Sequence, residues 1–246
     1  MPRLAVLSLC LLLCTAAPAA AQSTAVVTPD LTSAGTHMRL ALDGSQPPVN
    51  GRVPRGLILA AQRGFRFDGK AVKGRCSLAQ AQQDGCPMET RVGTGFADVT
   101  AYSPLFGSID VKASIESFLA PRKSKKELSG VLTSLNVMGT QTWARGYVDA
   151  PAKGDYGLRV VFDDLPATPG GFQVTLKRFE IEFGAERDIT RTKRVKGKRR
   201  LVREHHAMLR NPRACGRGYW LGRASLRFDD GSTGVIDAPI GCHERS

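Results

Sequence analysis

The chain of 246 residues carries a formal net charge of +13. Past its first residues no segment approaches the roughly 20 apolar residues needed to cross a bilayer, which excludes a spanning helix in the body of the chain. Such a positive balance bears on partners and solubility rather than on fold, and it points toward polyanions.

Residues 1–21 read as a cleaved secretory signal peptide. Arg3 supplies the positive start, residues 4–13 are nearly all apolar, and Ala19, Ala20 and Ala21 offer small side chains to a peptidase. A lipoprotein signal at Cys14 is the alternative, but Leu13 stands where a small residue is wanted. Removing the segment takes Arg3, Cys10 and Cys14 with it, leaving roughly 225 residues, enough for one large β domain or two small ones. The charge becomes +12 of the original +13, and the cysteines that stay are Cys76, Cys86, Cys215 and Cys242. An even number in an exported chain favours disulfides. Proximity favours Cys76–Cys86 and Cys215–Cys242, with a crossed pairing left open by spacing alone. No Cys-x-x-Cys or His-x-x-x-His accompanies them, so zinc is disfavoured. Outside the cytoplasm a regulatory nucleic-acid role drops away. The polyanions left are cell-wall polymers, acidic polysaccharide, anionic lipid headgroups and shed nucleic acid.

Residues 22–35 show no hydrophobic period and read as a flexible lead-in to a single domain over 36–246. Alternation begins at 37, with Met38, Leu40 and Leu42 on one side and His37, Arg39, Ala41 and Asp43 on the other. Gln46 to Gly51 is a dense turn signal, and 56–62 follows as an apolar strand. Residues 77–83 lack β-branched side chains. Ser77 caps their start, Gly85 ends them and Pro87 blocks continuation, which predicts a short helix clipped between Cys76 and Cys86. From 91 onward the signal is almost purely β, with strands predicted at 91–102, 108–119, 130–137, 142–148, 157–162, 172–183 and 219–228. Asp229-Asp230-Gly231-Ser232 predicts a hairpin turn into a last strand at 233–240. The expected fold class is all-β, a mostly antiparallel β-sandwich with one short disulfide-bracketed helix.

Several short stretches carry a resemblance. Cys86-Pro87, Arg91-Val92-Gly93-Thr94-Gly95 and Pro104-Leu105-Phe106-Gly107 come in that order, then Leu165-Pro166, Phe183-Gly184, Asn211-Pro212 and Cys215-Gly216. Together they resemble a group of uncharacterised secreted β-rich proteins from actinobacteria, over roughly residues 76 to 242. The chain departs from that group by a basic segment inserted before Asn211 and by Met88-Glu89-Thr90 where small residues are usual. The resemblance implies a secreted or surface β-sandwich, and it brings no catalytic residues.

The basic segment, 186–206, is the most unusual stretch. Arg187, Arg191, Lys193, Arg194, Lys196, Lys198, Arg199, Arg200 and Arg203 stand there, with Asp188 the acid among them. Ile189, Val195, Leu201 and Val202 interleave, and Lys196-Gly197 suits a hairpin tip. It reads either as a long basic β-arm for a polyanion or as a mobile solvated loop that raises solubility, the latter favoured because stacking aromatics are absent. Arg122, Lys123, Lys125 and Lys126 read as an ordinary charged turn.

Other residues carry weaker chemistry. Glu180 and Glu182 share one strand face about 7 Å apart, a spacing open to glycosidic hydrolysis. Their alternation with Phe179, Ile181 and Phe183 equally describes the polar face of an amphipathic strand. Asp163-Asp164 and Asp229-Asp230 sit beside Pro or Gly and suit turns better than calcium. His205 and His206 point to opposite faces of a strand and so do not chelate one ion. Trp143, Tyr147, Tyr219 and Trp220 offer either a sugar platform or core filling, with Tyr219 and Trp220 on opposite sides. No nucleophile elbow, Ser-x-x-Lys or His-Glu-x-x-His is present, and no metal or cofactor is expected.

The expected function is an exported, envelope-associated or secreted, non-enzymatic binding or structural protein. Its polyanion-binding residues would be Arg191, Lys193, Arg194, Lys196, Lys198, Arg199, Arg200 and Arg203. The alternative is a secreted glycan hydrolase using Glu180 and Glu182.

Overall fold

The computed structural model describes residues 25–29, 36–104, 107–166, 173–213, 215 and 218–241. The proposed signal peptide lies outside the described residues, and so does Cys242.

Among the described residues fifteen strands form: β1 (Ala25–Pro29), β2 (Thr36–Asp43), β3 (Gly56–Gln62), β4 (Arg66–Phe67), β5 (Arg91–Ser103), β6 (Gly107–Ala120), β7 (Glu127–Val137), β8 (Thr140–Asp149), β9 (Tyr156–Phe162), β10 (Gln173–Phe183), β11 (Glu186–Val195), β12 (Lys198–Ala207), β13 (Leu209–Arg210), β14 (Tyr219–Arg227) and β15 (Thr233–Gly241). Eleven of them make one antiparallel sheet in the order β1-β2-β10-β5-β6-β7-β8-β9-β3-β14-β15. β1 also lies against β15, so the sheet curls until its two edges approach. The all-β antiparallel expectation holds, with both layers supplied by one continuous curled sheet.

The predicted turns explain the strand limits. Met138-Gly139 joins β7 to β8 with both residues at positive φ, 51° and 83°, the geometry that matches strand twist in a two-residue hairpin. Gly231, at φ 78°, sits in the turn between β14 and β15. Gly93 and Gly95 on β5 face Phe183 and Ile181 on β10. A Cβ at 95 would meet the Glu180 carbonyl oxygen at 2.1 Å, so only glycine lets the strands close this tightly where the sheet curls.

Alternation puts Leu40, Leu42, Val99, Ile115, Leu119, Val131, Leu158 and Ile181 into the interior. A second, smaller cluster lies on the outside of the sheet, where Phe118 and Leu132 meet Ala81 and Cys76. That is why the end of β6 is buried on both faces. Its cover is the predicted helix, α1 (Leu78–Gln83), capped by the Ser77 hydroxyl accepting from the Gln80 amide. The Cys76–Cys86 disulfide brackets it, with Cα atoms 5.5 Å apart. Cys215 is also disulfide-bonded, while its expected partner Cys242 lies outside the described residues.

One local expectation fails. Within the supposed flexible lead-in, β1 forms and pairs antiparallel with β2, Ala25 opposite Leu40 and Pro29 opposite Thr36. An edge strand held by backbone hydrogen bonds needs no hydrophobic period of its own, which is the signal whose absence suggested a loop.

Candidate functional site: a basic β-arm and its base

Residues 186–207, read above as a loop with a hairpin as the alternative, form a two-stranded antiparallel ribbon separate from the main sheet. The segment is thus a hairpin rather than a loop. Each strand has ten residues, a reach of about 33 Å. Lys196 and Gly197, at φ 49° and 80°, make the tip. Glycine tolerates that region freely, and the lysine adopts it because the two-residue turn requires it. Arg191 to Arg194 and Lys196 to Leu201 are exposed, and Leu201 is 76% exposed.

The register determines which charges share a face. Arg194 stands opposite Arg199, and on the other face Lys193 stands opposite Arg200. Of the eight expected polyanion contacts, Lys193 pairs with Glu204 and Arg203 with Asp188. Arg194, Lys196, Lys198, Arg199 and Arg200 form no ion pair among the described residues, and Arg191 acts on Glu204 only through space, without a direct ion pair. Acids thus neutralise the base of the arm and leave its outer part bare.

That base holds a chain of imidazoles and carboxylates. Glu182 Oε1 lies 2.9 Å from His37 Nδ1, and His37 Nε2 lies 3.9 Å from Glu186. Glu186 approaches His205 Nε2 at 3.2 Å, and His205 Nδ1 is 3.1 Å from Asp188. His206, on the opposite ribbon face, bonds Asp68 through Nδ1 at 2.7 Å. Its buried Nε2 stands 3.5 Å from Glu204, an ion-pair contact at the long edge of hydrogen bonding. Asp68 in turn accepts from the Lys70 amide at the start of a short 3-10 helix, Gly69–Ala71. The arm is thereby fastened to the body.

These surroundings move the carboxyls. Burial alone would raise Asp68, but the His206 hydrogen bond, the Lys70 amide and nearby Arg210 hold it below the usual carboxylate range. Arg203 and then His205 lower Asp188, and Lys193 lowers Glu204. Beside this base an open polar cleft of about 500 Å³ is lined by His37, Lys73, Glu89, Arg91, Glu182 and Glu186, among others.

The remaining candidates resolve as structural groups. Glu180 is locked by Arg39 at 2.6 Å and Arg178 at 3.2 Å on the outer sheet face. Of that pair Glu182 reaches the cleft, whose walls hold no Phe, Tyr or Trp among the described residues. Asp164 pairs with Arg55, while Asp230 bonds Ser232 and Arg52 within its turn. Among the described residues no group of His, Cys, Asp and Glu suits a metal ion. Trp220 is buried edge-on against Phe65, with ring centroids 5.3 Å apart, while Tyr219 on the other side is exposed. Trp143 covers Phe118 in the outer cluster, and Tyr147 bonds Asp163, so the four aromatics form no common platform. Arg122, Lys123, Lys125 and Lys126 lie exposed in the β6–β7 connection, as an ordinary turn would place them.

Sequence reasoning missed His37 as a partner of the arm. Its position on the polar face of β2 was visible, but its closeness to Glu182, 145 residues away, exists only through the β2–β10 pairing. Among the described residues no helix is long and apolar enough to cross a membrane. No family model, curated protein or solved structure matches the chain.

Proposed function

We propose that this protein is exported and works as a non-enzymatic binding protein at the cell envelope, gripping anionic surface polymers through the β11–β12 arm. The disulfides suit an oxidising compartment, and the resemblance to secreted actinobacterial proteins points the same way. The observation that carries the reading is the like-charge pairing of Arg194 with Arg199, neither of which has an ion-pair partner among the described residues, beside Arg200, whose ladder partner Lys193 turns to Glu204. Cations directly opposed across a ladder work against the hairpin, so an anionic partner supplies what the fold itself leaves out. A ribbon with bare charge on both faces suits a flexible polymer that wraps it, better than a concave pocket for one small molecule. Binding of this kind releases counterions and weakens steeply with salt.

The test is retention of the mature protein on isolated cell envelope and on purified anionic wall polymer, at low and high salt. Retention should be strong at low salt, fall with added salt, and vanish when Arg199, Arg200 and Arg203 are all changed to Glu. Unaltered retention of that variant would refute the arm as the binding element. The glycan-hydrolase reading gains no support from Glu180, which its two arginines hold away from the cleft.

A further inference from the structure

Taking the β11–β12 ribbon as the polyanion-binding element proposed above, its tip also selects among anions. Val195 and Lys198 close the two-residue turn at Lys196-Gly197. In such a hairpin the closing residues exchange backbone hydrogen bonds, and the next pair inward does not. That next pair is Arg194 and Arg199. Partners of this kind bring their Cα atoms to about 4.5 Å, the closest approach that an antiparallel ladder gives two side chains on one face. Both arginines are exposed, and neither forms an ion pair among the described residues.

The opposite face offers nothing equivalent. There Arg200 stands opposite Lys193, which turns to Glu204, and Arg191 stands opposite Val202. Two facing guanidiniums without acids therefore occur on the arm at Arg194 and Arg199. Thr192, two residues inward on their side of the ribbon, is exposed and adds a hydroxyl donor.

A guanidinium donates paired, parallel hydrogen bonds, and two of them side by side bring two positive charges. A carboxylate carries one negative charge and two oxygens, so it fills one fork and leaves the other charge bare. A phosphate monoester carries a charge of about −1.5 to −2 at neutral pH and three strong acceptor oxygens, enough to face both forks at once. We propose that Arg194 and Arg199 form a clamp for phosphate monoester groups carried on an anionic surface polymer. A polymer suits the arm better than a membrane does. Among the described residues Leu201 is the arm's one strongly exposed large apolar side chain, too little to anchor in a bilayer.

The experiment measures binding of the mature protein to dextran carrying phosphate monoesters and to carboxymethyl dextran of matched charge, at neutral pH and one ionic strength. The phosphate polymer should bind at least about fivefold more tightly. Changing Arg194 and Arg199 together to Lys keeps both charges and removes both forks. That variant should bind the two polymers nearly equally, with its affinity for carboxymethyl dextran within about twofold of the parent's. Equal affinity of the parent for the two polymers, or a margin that survives the lysine variant, would overturn the clamp and leave the arm standing. Failure to bind either polymer at low salt would take the arm reading down as well. Orthophosphate competing on equal terms at equal phosphate concentration would make the free anion the ligand. Vesicles of phosphatidic acid in phosphatidylcholine bound more tightly than the phosphate polymer would make a membrane the carrier. Either result would overturn the polymer.

Discussion

Lys193 and Arg200 are partners across the β11–β12 ladder, two cations facing each other at the outer part of the arm. Arg194 and Arg199 repeat the arrangement on the opposite face. Local side-chain choices here oppose the hairpin, whereas elsewhere in the molecule they support their strands. Natural sequences break local rules mainly where function demands it.

Changing Arg199 and Arg200 to Glu places an acid opposite each of Arg194 and Lys193. Each new pair should strengthen the hairpin by about 0.2–1 kcal/mol. Hydrogen exchange of the arm amides should slow while envelope retention is lost. Faster exchange in this variant would show that charge repulsion is not what weakens the arm.

The base of the arm should respond to acid. Asp68, Asp188 and Glu204 all have folded pKa values lowered by the hydrogen bonds and cations around them. Groups shifted downward stabilise fully above their unfolded values, about 3.9 for Asp and 4.3 for Glu, and lose that contribution as the pH falls through the folded values. Thermal stability should therefore decline from about pH 4 toward pH 2. Asp68→Asn should be less stable than the parent at pH 7, with the difference shrinking at pH 2. A difference of equal size at both pH values would rule out an ionic origin.

The Cys76–Cys86 bridge closes a loop with a sequence separation of 10. Chain-entropy arguments assign such a loop about 2.5–3 kcal/mol. Replacing both cysteines by Ser should lower the denaturant midpoint accordingly, and Phe118 and Leu132 should gain exposure as α1 loosens. An unchanged midpoint would mean that the outer cluster holds the helix without the bridge.

Gly95→Ala should be among the most damaging single changes, because its Cβ would meet backbone of β10 rather than a movable side chain. A loss of about 2–4 kcal/mol is expected, read from chemical denaturation. A loss under about 0.5 kcal/mol, the range of neutral surface changes, would show that the curl relaxes at no cost.

Much of the strand inventory was legible in the chain itself, because Pro and Gly mark nearly every connection and period-two alternation marks nearly every strand. Met138-Gly139 and Asp230-Gly231 are turns that short-range chemistry alone specifies. What was not legible is long-range. β10 slots between β2 and β5, and β3 between β9 and β14, by pairings that join residues 71 to 171 positions apart. The same holds for the site. The cations of the arm were visible as a cluster, yet their opposition across the ladder depends on a register set by the Lys196-Gly197 tip. The curl of the sheet leaves no local mark beyond small residues such as Gly93 and Gly95.

Glu186 and Ala207, the first and last ladder partners of the ribbon, lie side by side where it joins the body. The chain thus leaves and re-enters the scaffold at nearly one point, so a tight two-residue bridge placed just beyond the ladder partners Asp188 and His205 would remove the outer ribbon while keeping the His206–Asp68 anchor. The arm is an exchangeable cassette, and the same scaffold would accept ribbons of other length or charge grafted at that doorway.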